Sequence, residues 1–238
     1  MADEDQKIDV RVTPSFQSAN VRALPEYDAD TAPLFGPVES AFDLAYRTVS
    51  SIYTAREAAQ NDLTLTENAR VVKTADFADS LMERATRAFD YADTALRNNI
   101  AALEQSLAEP VQARGASTIA VEIRAHVKGL KAEGGSILDF VRRAIDSGDH
   151  DTVSAVLSSP PYLSGITPEQ KAVMLRMYHE KSNPQTAKRL AAAKAAQAYL
   201  GRNSGLLFRE IEKGIGGDYR KVQMLRKGAN ASKKAFGV

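Results

Sequence analysis

Apolar positions between Val38 and Leu107 recur at steps of three and four, the spacing of one face of an α-helix. The stretch 38–109 lies between Gly36-Pro37 and Pro110, and its 72 residues contain neither Gly nor Pro. Its first part places Val38, Phe42, Ala45, Val49, Ile52, Ala55 and Ala59 on one stripe, and Pro37 suits the first helical position. Its second part, from about Glu67 to Ala108, carries Val71, Ala75, Ala78, Met82, Ala85, Phe89, Ala92, Leu96, Ile100, Leu103 and Leu107 in a coiled-coil-like rhythm. Between them lies Asn61-Asp62-Leu63-Thr64-Leu65-Thr66, whose side chains compete with a helical backbone, and Thr66 is a good N-cap. The pattern predicts an antiparallel helical hairpin with arms of roughly 35 Å and 63 Å. One continuous rod is the alternative. The longer arm overhangs the shorter, and its stripe there needs cover from another element or another chain.

Beyond Pro110 and Gly115 the pattern predicts short helices. One covers 117–131 and stops before Gly134-Gly135. Ser136 caps the next, which buries Ile137, Leu138, Phe140, Val141 and Ile145. Residues 149–158 form another, with Val153, Val156 and Leu157, ended by Pro160-Pro161. Thr167-Pro168-Glu169-Gln170 is a capping box with Pro in the first turn, so a helix starts there. It carries Val173, Met174, Met177 and Tyr178. Asn183-Pro184 opens an Ala-rich helix ending at Gly201. Helices follow over 203–213 and from Asp218 to about Lys234, with Gly214, Gly216 and Gly217 as a hinge.

Residues 1–36 read as an extended arm. Ile8, Val10 and Val12 alternate with Asp9 and Arg11 in a strand-like way, and Pro14, Pro25 and Pro33 exclude a long helix. Such an arm is either disordered or laid along a partner. The expected fold class is all-α: a long antiparallel helical hairpin followed by a cluster of shorter helices, with an extended N-terminal arm. The expected organisation is an arm at 1–36, the hairpin at 37–109, a short-helix bundle at 110–180 and a basic helical region at 181–238.

Composition agrees with closely packed helices. Trp is absent and Phe and Tyr number eight each, so the core is mainly Ala, Leu, Val and Ile. The absence of Cys excludes disulfides, thiolate nucleophiles and Cys-based metal sites, and it favours a reducing compartment. The acidic start Met1-Ala2-Asp3-Glu4-Asp5 is not followed by an apolar run, which speaks against a secretory signal. No stretch is long and apolar enough for a membrane span. The expected location is cytoplasmic, or within a virion assembled in the cytoplasm.

A net charge of +1 hides a strong asymmetry. Residues 1–170 hold 16 Lys/Arg against 26 Asp/Glu, a net of −10, and residues 171–238 hold 15 against 4, a net of +11. A basic region of this kind points to an anionic partner.

The residues offer little catalytic chemistry. His126, His150 and His179 form no ligand spacing. Asp149-His150-Asp151 reads as a capping cluster at the start of a helix rather than a metal site. No Gly-x-Ser-x-Gly nucleophile elbow occurs, and no phosphate-binding glycine fingerprint. Asp76, Asp79, Glu83 and Asp90 lie along an amphipathic helix and read as its solvated face. The expectation is a non-enzyme with no cofactor, no metal and no evident small-molecule substrate.

The basic region is the one functional lead. Arg220, Lys227 and Lys234 recur every seven residues on one face of the last helix, with Val222, Leu225 and Ala229 on the opposite face. Arg226 and Lys233 flank the apolar side, Lys221 lies elsewhere on the surface, and Lys188, Arg189, Lys194, Arg202, Arg209 and Lys213 extend the positive field upstream. Lys and Arg of this density neutralise phosphates without reading sequence. Tyr199, Phe208, Tyr219 and Phe236 interleave with them and suit base stacking. A solvated basic surface paired with acidic residues of the same or a neighbouring chain is the competing reading.

The stretch from Ser147-Gly148-Asp149-His150-Asp151-Thr152-Val153 through Pro161-Tyr162-Leu163-Ser164-Gly165 resembles small helical proteins encoded among tailed-phage structural genes. The resemblance covers about a tenth of the chain, rests on helix-turn patterning and carries over no functional residue. It implies a virion or assembly role. The expected function is therefore that of a non-enzymatic structural or assembly protein of a phage-like virion, oligomerising through its long helices and arm. Its partners would be itself and other structural proteins. The alternative is a non-specific nucleic-acid-binding module, with DNA on the basic C-terminal region.

Overall fold

The computed structural model describes residues 8–237, apart from the side chains of Pro161 and Tyr162. Among the described residues there is no β-strand, and helices dominate. The chain divides into two compact units. One comprises the described residues up to Leu96 together with those from Ala195 onward, and the other is Arg97–Lys194.

The first unit is built on the expected hairpin. A short helix α1 (Ala19–Arg22) precedes α2 (Ala32–Asn61), and α3 (Glu67–Gly115) follows the turn. The predicted α2 stripe is buried except for half-buried Ala55, and Leu34, Phe35 and Ala41 join it. On α3 the buried set within this unit is Ala75, Ala78, Ala85, Phe89, Ala92 and Leu96, while Val71 and Met82 are half-buried. The Phe42 and Phe89 rings meet edge-to-face with centroids 5.1 Å apart. These two residues lie nearly equal chain distances from the turn, which is the register of an antiparallel hairpin. The turn is local chemistry: Asp62 Oδ1 accepts from the Thr64 N–H at 3.0 Å and from its hydroxyl at 2.6 Å. Thr66 Oγ1 accepts from the Ala69 N–H at 3.3 Å, capping α3.

Two prolines do not fall where their local effect would put them. α2 begins at Ala32 with Pro33 in its first turn, so Pro37 lies inside the helix rather than at its start. α3 runs through Pro110 to Gly115. A proline removes one backbone donor and crowds the preceding turn. Continued packing outweighs that at Pro110, because the stripe goes on from Leu107 to Val111 and both are buried.

The arm at 1–36 is not extended where it is described. Residues 8–31 fold as turns, a 3-10 turn at Pro14–Phe16 and α1, and they bury Val12, Phe16 and Val21. Of the alternating apolar residues only Val12 is covered, with Ile8 and Val10 exposed. Without a neighbouring strand to pair with, the alternation gains nothing. Asp9 anchors the segment instead. Its carboxylate accepts from Arg11 Nε at 2.8 Å and Nη2 at 2.7 Å, and from Ser50 Oγ at 2.7 Å. The Arg11 hydrogen bond, with help from Ser50, holds this carboxyl far below the usual carboxylate range. Residues 1–7 lie outside the described part.

The rest of the first unit comes from the chain's end. It takes in the later part of α9 (Pro184–Asn203), then α10 (Leu206–Ile215) and α11 (Tyr219–Ala235). α10 packs along α2. A Cβ on Gly214 would sit 2.9 Å from Ile52 Cγ2, so glycine permits that approach. Gly216 closes α10 in the left-handed conformation at φ 78°.

The second unit wraps the overhang of α3 with α4 (Thr118–Ala132), α5 (Ile137–Ser147), α6 (His150–Leu157), α7 (Pro161–Ser164), α8 (Pro168–Ser182) and the start of α9. α6 is central, and every residue from Thr152 to Leu157 is buried. It contacts α4, α5 and α8. Val111, Val127, Val141, Val153, Val156 and Tyr178 share this core. The caps are those the sequence predicts. Ser136 accepts from the Asp139 N–H at 3.2 Å, Asp149 from the Thr152 N–H at 3.0 Å, and Thr167 with Gln170 completes a capping box.

Candidate functional site

The last helix combines one docked half with one free half. Asp218 accepts from the Lys221 N–H at 2.7 Å and so starts α11. Val222 is 1% exposed and Leu225 half-buried. Arg226 fixes the helix to α3. Its guanidinium donates to Asp76 at 2.6 Å and to Asp79 at 2.7 Å. Those carboxylates, Asp79 foremost, raise its pKa and hold it charged. From Lys227 to Gly237 every residue is exposed. The segment 219–237 contains no Asp or Glu and six Lys or Arg.

On this helix Arg220, Lys227 and Lys234 share the solvent face, since Val222, Leu225 and Arg226 turn the other way. Met224 is exposed beside them, with Tyr219 at one end and Phe236 at the other. Each cation lies about 10.5 Å from the next along the helix axis. No carboxylate on the helix competes with an incoming anion.

The other predicted cations are placed differently. Arg202, Arg209 and Lys213 belong to the first unit, Lys188, Arg189 and Lys194 to the second. All six are exposed. Lys213 pairs with the buried Glu210 at 2.5 Å and Lys194 with Glu104 at 2.6 Å. The second of these pairs joins the basic segment to the acidic one, so a small part of the charge asymmetry is neutralised within the chain. Of the four aromatic residues Tyr199 is not available for stacking. It is buried, its hydroxyl donates to the Ser15 carbonyl at 3.2 Å, and its ring meets Phe42 at 5.2 Å. Phe208 is exposed on α10.

Asp149 is a helix cap, and its hydrogen bonds from Thr152 lower its pKa. His150 Nδ1 lies 3.0 Å from the Tyr178 hydroxyl, which Arg114 also approaches at 3.3 Å. Among the described residues no group of three or more His, Asp or Glu is placed to hold a metal ion. None of the described helices is long and apolar enough to cross a membrane.

Sequence reasoning missed a trough in the second unit. It encloses about 710 Å³ between the α3 overhang, α8 and the start of α9. Lys171, Leu175 and His179 face it at four-residue spacing on α8. That spacing was present in the sequence, but the facing walls come from distant segments. Compared with protein-family models, curated proteins and solved structures, the chain matches none.

Proposed function

We propose that this chain is a non-enzymatic assembly protein that engages an anionic partner, DNA foremost, through the distal half of α11. One observation carries the reading: an acid-free, lysine-bearing helix leaves every residue from Lys227 to Gly237 exposed. Most of the apolar stripe on α2 and α3 is buried within the chain, so it no longer demands a partner. A protruding cationic helix has no such internal use. Its cations match a phosphate backbone by charge rather than by base, and exposed Tyr219 and Phe236 add stacking surface. The resemblance of 147–165 to tailed-phage structural proteins suggests a virion component.

A second apolar seam on α3 favours self-association. Phe77, Leu81, Ala88 and Tyr91 lie on one face around the exposed Arg84, Phe77 and Tyr91 exposed and Leu81 and Ala88 half-buried. The two surfaces have separate tests. Fluorescence anisotropy with a labelled DNA duplex should show binding in low salt. Changing Arg220, Lys227 and Lys234 together to Gln should weaken it at least tenfold, and the same change at Lys194 and Lys213 should not. Equal losses would reject α11 as the interface. Light scattering should show mass rising with concentration, and Tyr91→Lys should abolish the rise. A constant monomer mass would reject self-association.

A further inference from the structure

The trough in the second unit has a composition that its own chain does not complete. Its walls are Leu107 and Val111 from α3, Leu175 from α8 and Leu190 from α9. Two nitrogen groups of α8 interrupt this apolar lining. Lys171 Nζ donates to the neutral carbonyl of Ser159 at 2.9 Å, and among the described residues no carboxylate pairs with it. His179 Nδ1 is buried without a hydrogen-bond partner. The other charges at the rim are satisfied, Lys194 by Glu104 at 2.6 Å and Arg176 by Glu180 at 3.7 Å.

A cation held against apolar walls, with only a carbonyl for company, is under-compensated. Burial lowers the pKa of both Lys171 and His179, and no carboxylate offsets it at either. Lys171 and His179 lie two helical turns apart, about 12 Å along α8, with Leu175 between them. The volume falls within the roughly 300–1,000 Å³ of small-molecule sites. The trough therefore offers one cationic end, an apolar run and a second polar end.

From this we infer that the second unit binds an elongated amphiphilic carboxylate, its head on Lys171 and its alkyl chain along Leu175, Leu107 and Leu190 toward His179. This site is independent of α11 and of the DNA reading. The carboxylate supplies the missing counter-charge, and the chain covers apolar wall that water now meets. A protein helix or a second copy is the competing occupant. Neither needs an anion at Lys171.

The test is calorimetric titration of the full chain with dodecanoate and with dodecanol, kept below their aggregation thresholds. Dodecanoate should bind saturably and more tightly than dodecanol. Lys171→Met keeps the stem and removes the charge, so dodecanoate should weaken about tenfold or more while dodecanol is unchanged. Leu190→Trp should fill the trough and abolish both, with circular dichroism confirming that the variant is folded. Absence of saturable binding in the wild type would overturn the proposal. So would equal effects of Lys171→Met on acid and alcohol, or a trough already occupied by a second copy, seen as ligand-driven dissociation of a dimer.

Discussion

Replacing Gly115 by Ala would ordinarily strengthen a helix, by up to about 1 kcal/mol in an interior position. Here the structure reverses the sign. Gly115 is the last residue of α3, where that helix crosses α6. An added Cβ would lie 2.0 Å from Ser158 Oγ, 2.5 Å from Ser158 Cβ and 2.9 Å from the Ser154 carbonyl oxygen. Arg124 holds the two helices at this point, donating to the Gly115 carbonyl at 2.9 Å and to that of Ala155 at 3.4 Å. The side chain of Ser158 can rotate, but the Ser154 carbonyl belongs to a buried helix. Overpacking of this kind costs about 1–3 kcal/mol, which exceeds the propensity gain. Gly115→Ala should therefore destabilise the protein by about 1–2 kcal/mol. Adding Ser158→Gly removes two of the three overlaps and should restore only part of the loss. Urea unfolding followed by far-UV circular dichroism suits a chain without Trp. A midpoint unchanged or raised by Gly115→Ala would refute the close crossing. Full recovery in the double variant would refute the role given to the Ser154 carbonyl.

Other predictions concern separate parts of the chain. Phe42 is fully buried and meets Phe16, Phe89 and Tyr199 at centroid distances of 6.1, 5.1 and 5.2 Å, so Phe42→Ala should cost about 3–5 kcal/mol in the same unfolding experiment. A loss under about 1 kcal/mol would mean that these elements do not share a core. Asp218→Ala removes the cap of α11 and should cost about 1 kcal/mol locally, seen as faster amide exchange over the first turns of α11 with α5 unaffected. Burial depresses the pKa of His179 below its ordinary 6.5, so the unfolded chain takes up its proton first as pH falls. Stability contributed by the neutral ring is present above pH 6.5 and declines below it until the folded pKa is reached. His179→Gln should flatten that part of the stability–pH curve, and an identical slope in the variant would contradict it.

The hairpin was legible because its signal is long and periodic, and each predicted cap rests on one polar side chain beside its own helix. Thr66, Ser136, Asp149 and Thr167 are of this kind. Proline was over-read. Pro33 opens α2 without cost, while Pro37 and Pro110 each impose a local cost that burial along Leu34–Phe35–Val38 and Leu107–Val111 outweighs, and that burial depends on partners remote in sequence. The N-terminal segment departs from an extended arm for the same reason. Asp9 finds Ser50, and Phe16 finds Phe42, only in three dimensions. Of the basic region, the exposed face of α11 could be read from its seven-residue spacing. The pairing of Arg226 with Asp76 and Asp79, and the burial of Tyr199, depend on contacts between segments remote in sequence. The trough was hidden because four separate segments form it, from α3, the end of α6, α8 and α9.

Under the proposed function, the free half of α11 delivers its cations to a polyanion. The salt dependence of DNA binding, measured for the full chain and for a chain ending at Arg226, tests it most directly. Each phosphate neutralised contributes about −0.9 to the slope of log K against log salt. Losing Lys227, Lys233 and Lys234 should make the slope shallower by about 2.7 and weaken binding in low salt. Two chains with the same slope and the same affinity would contradict the claim.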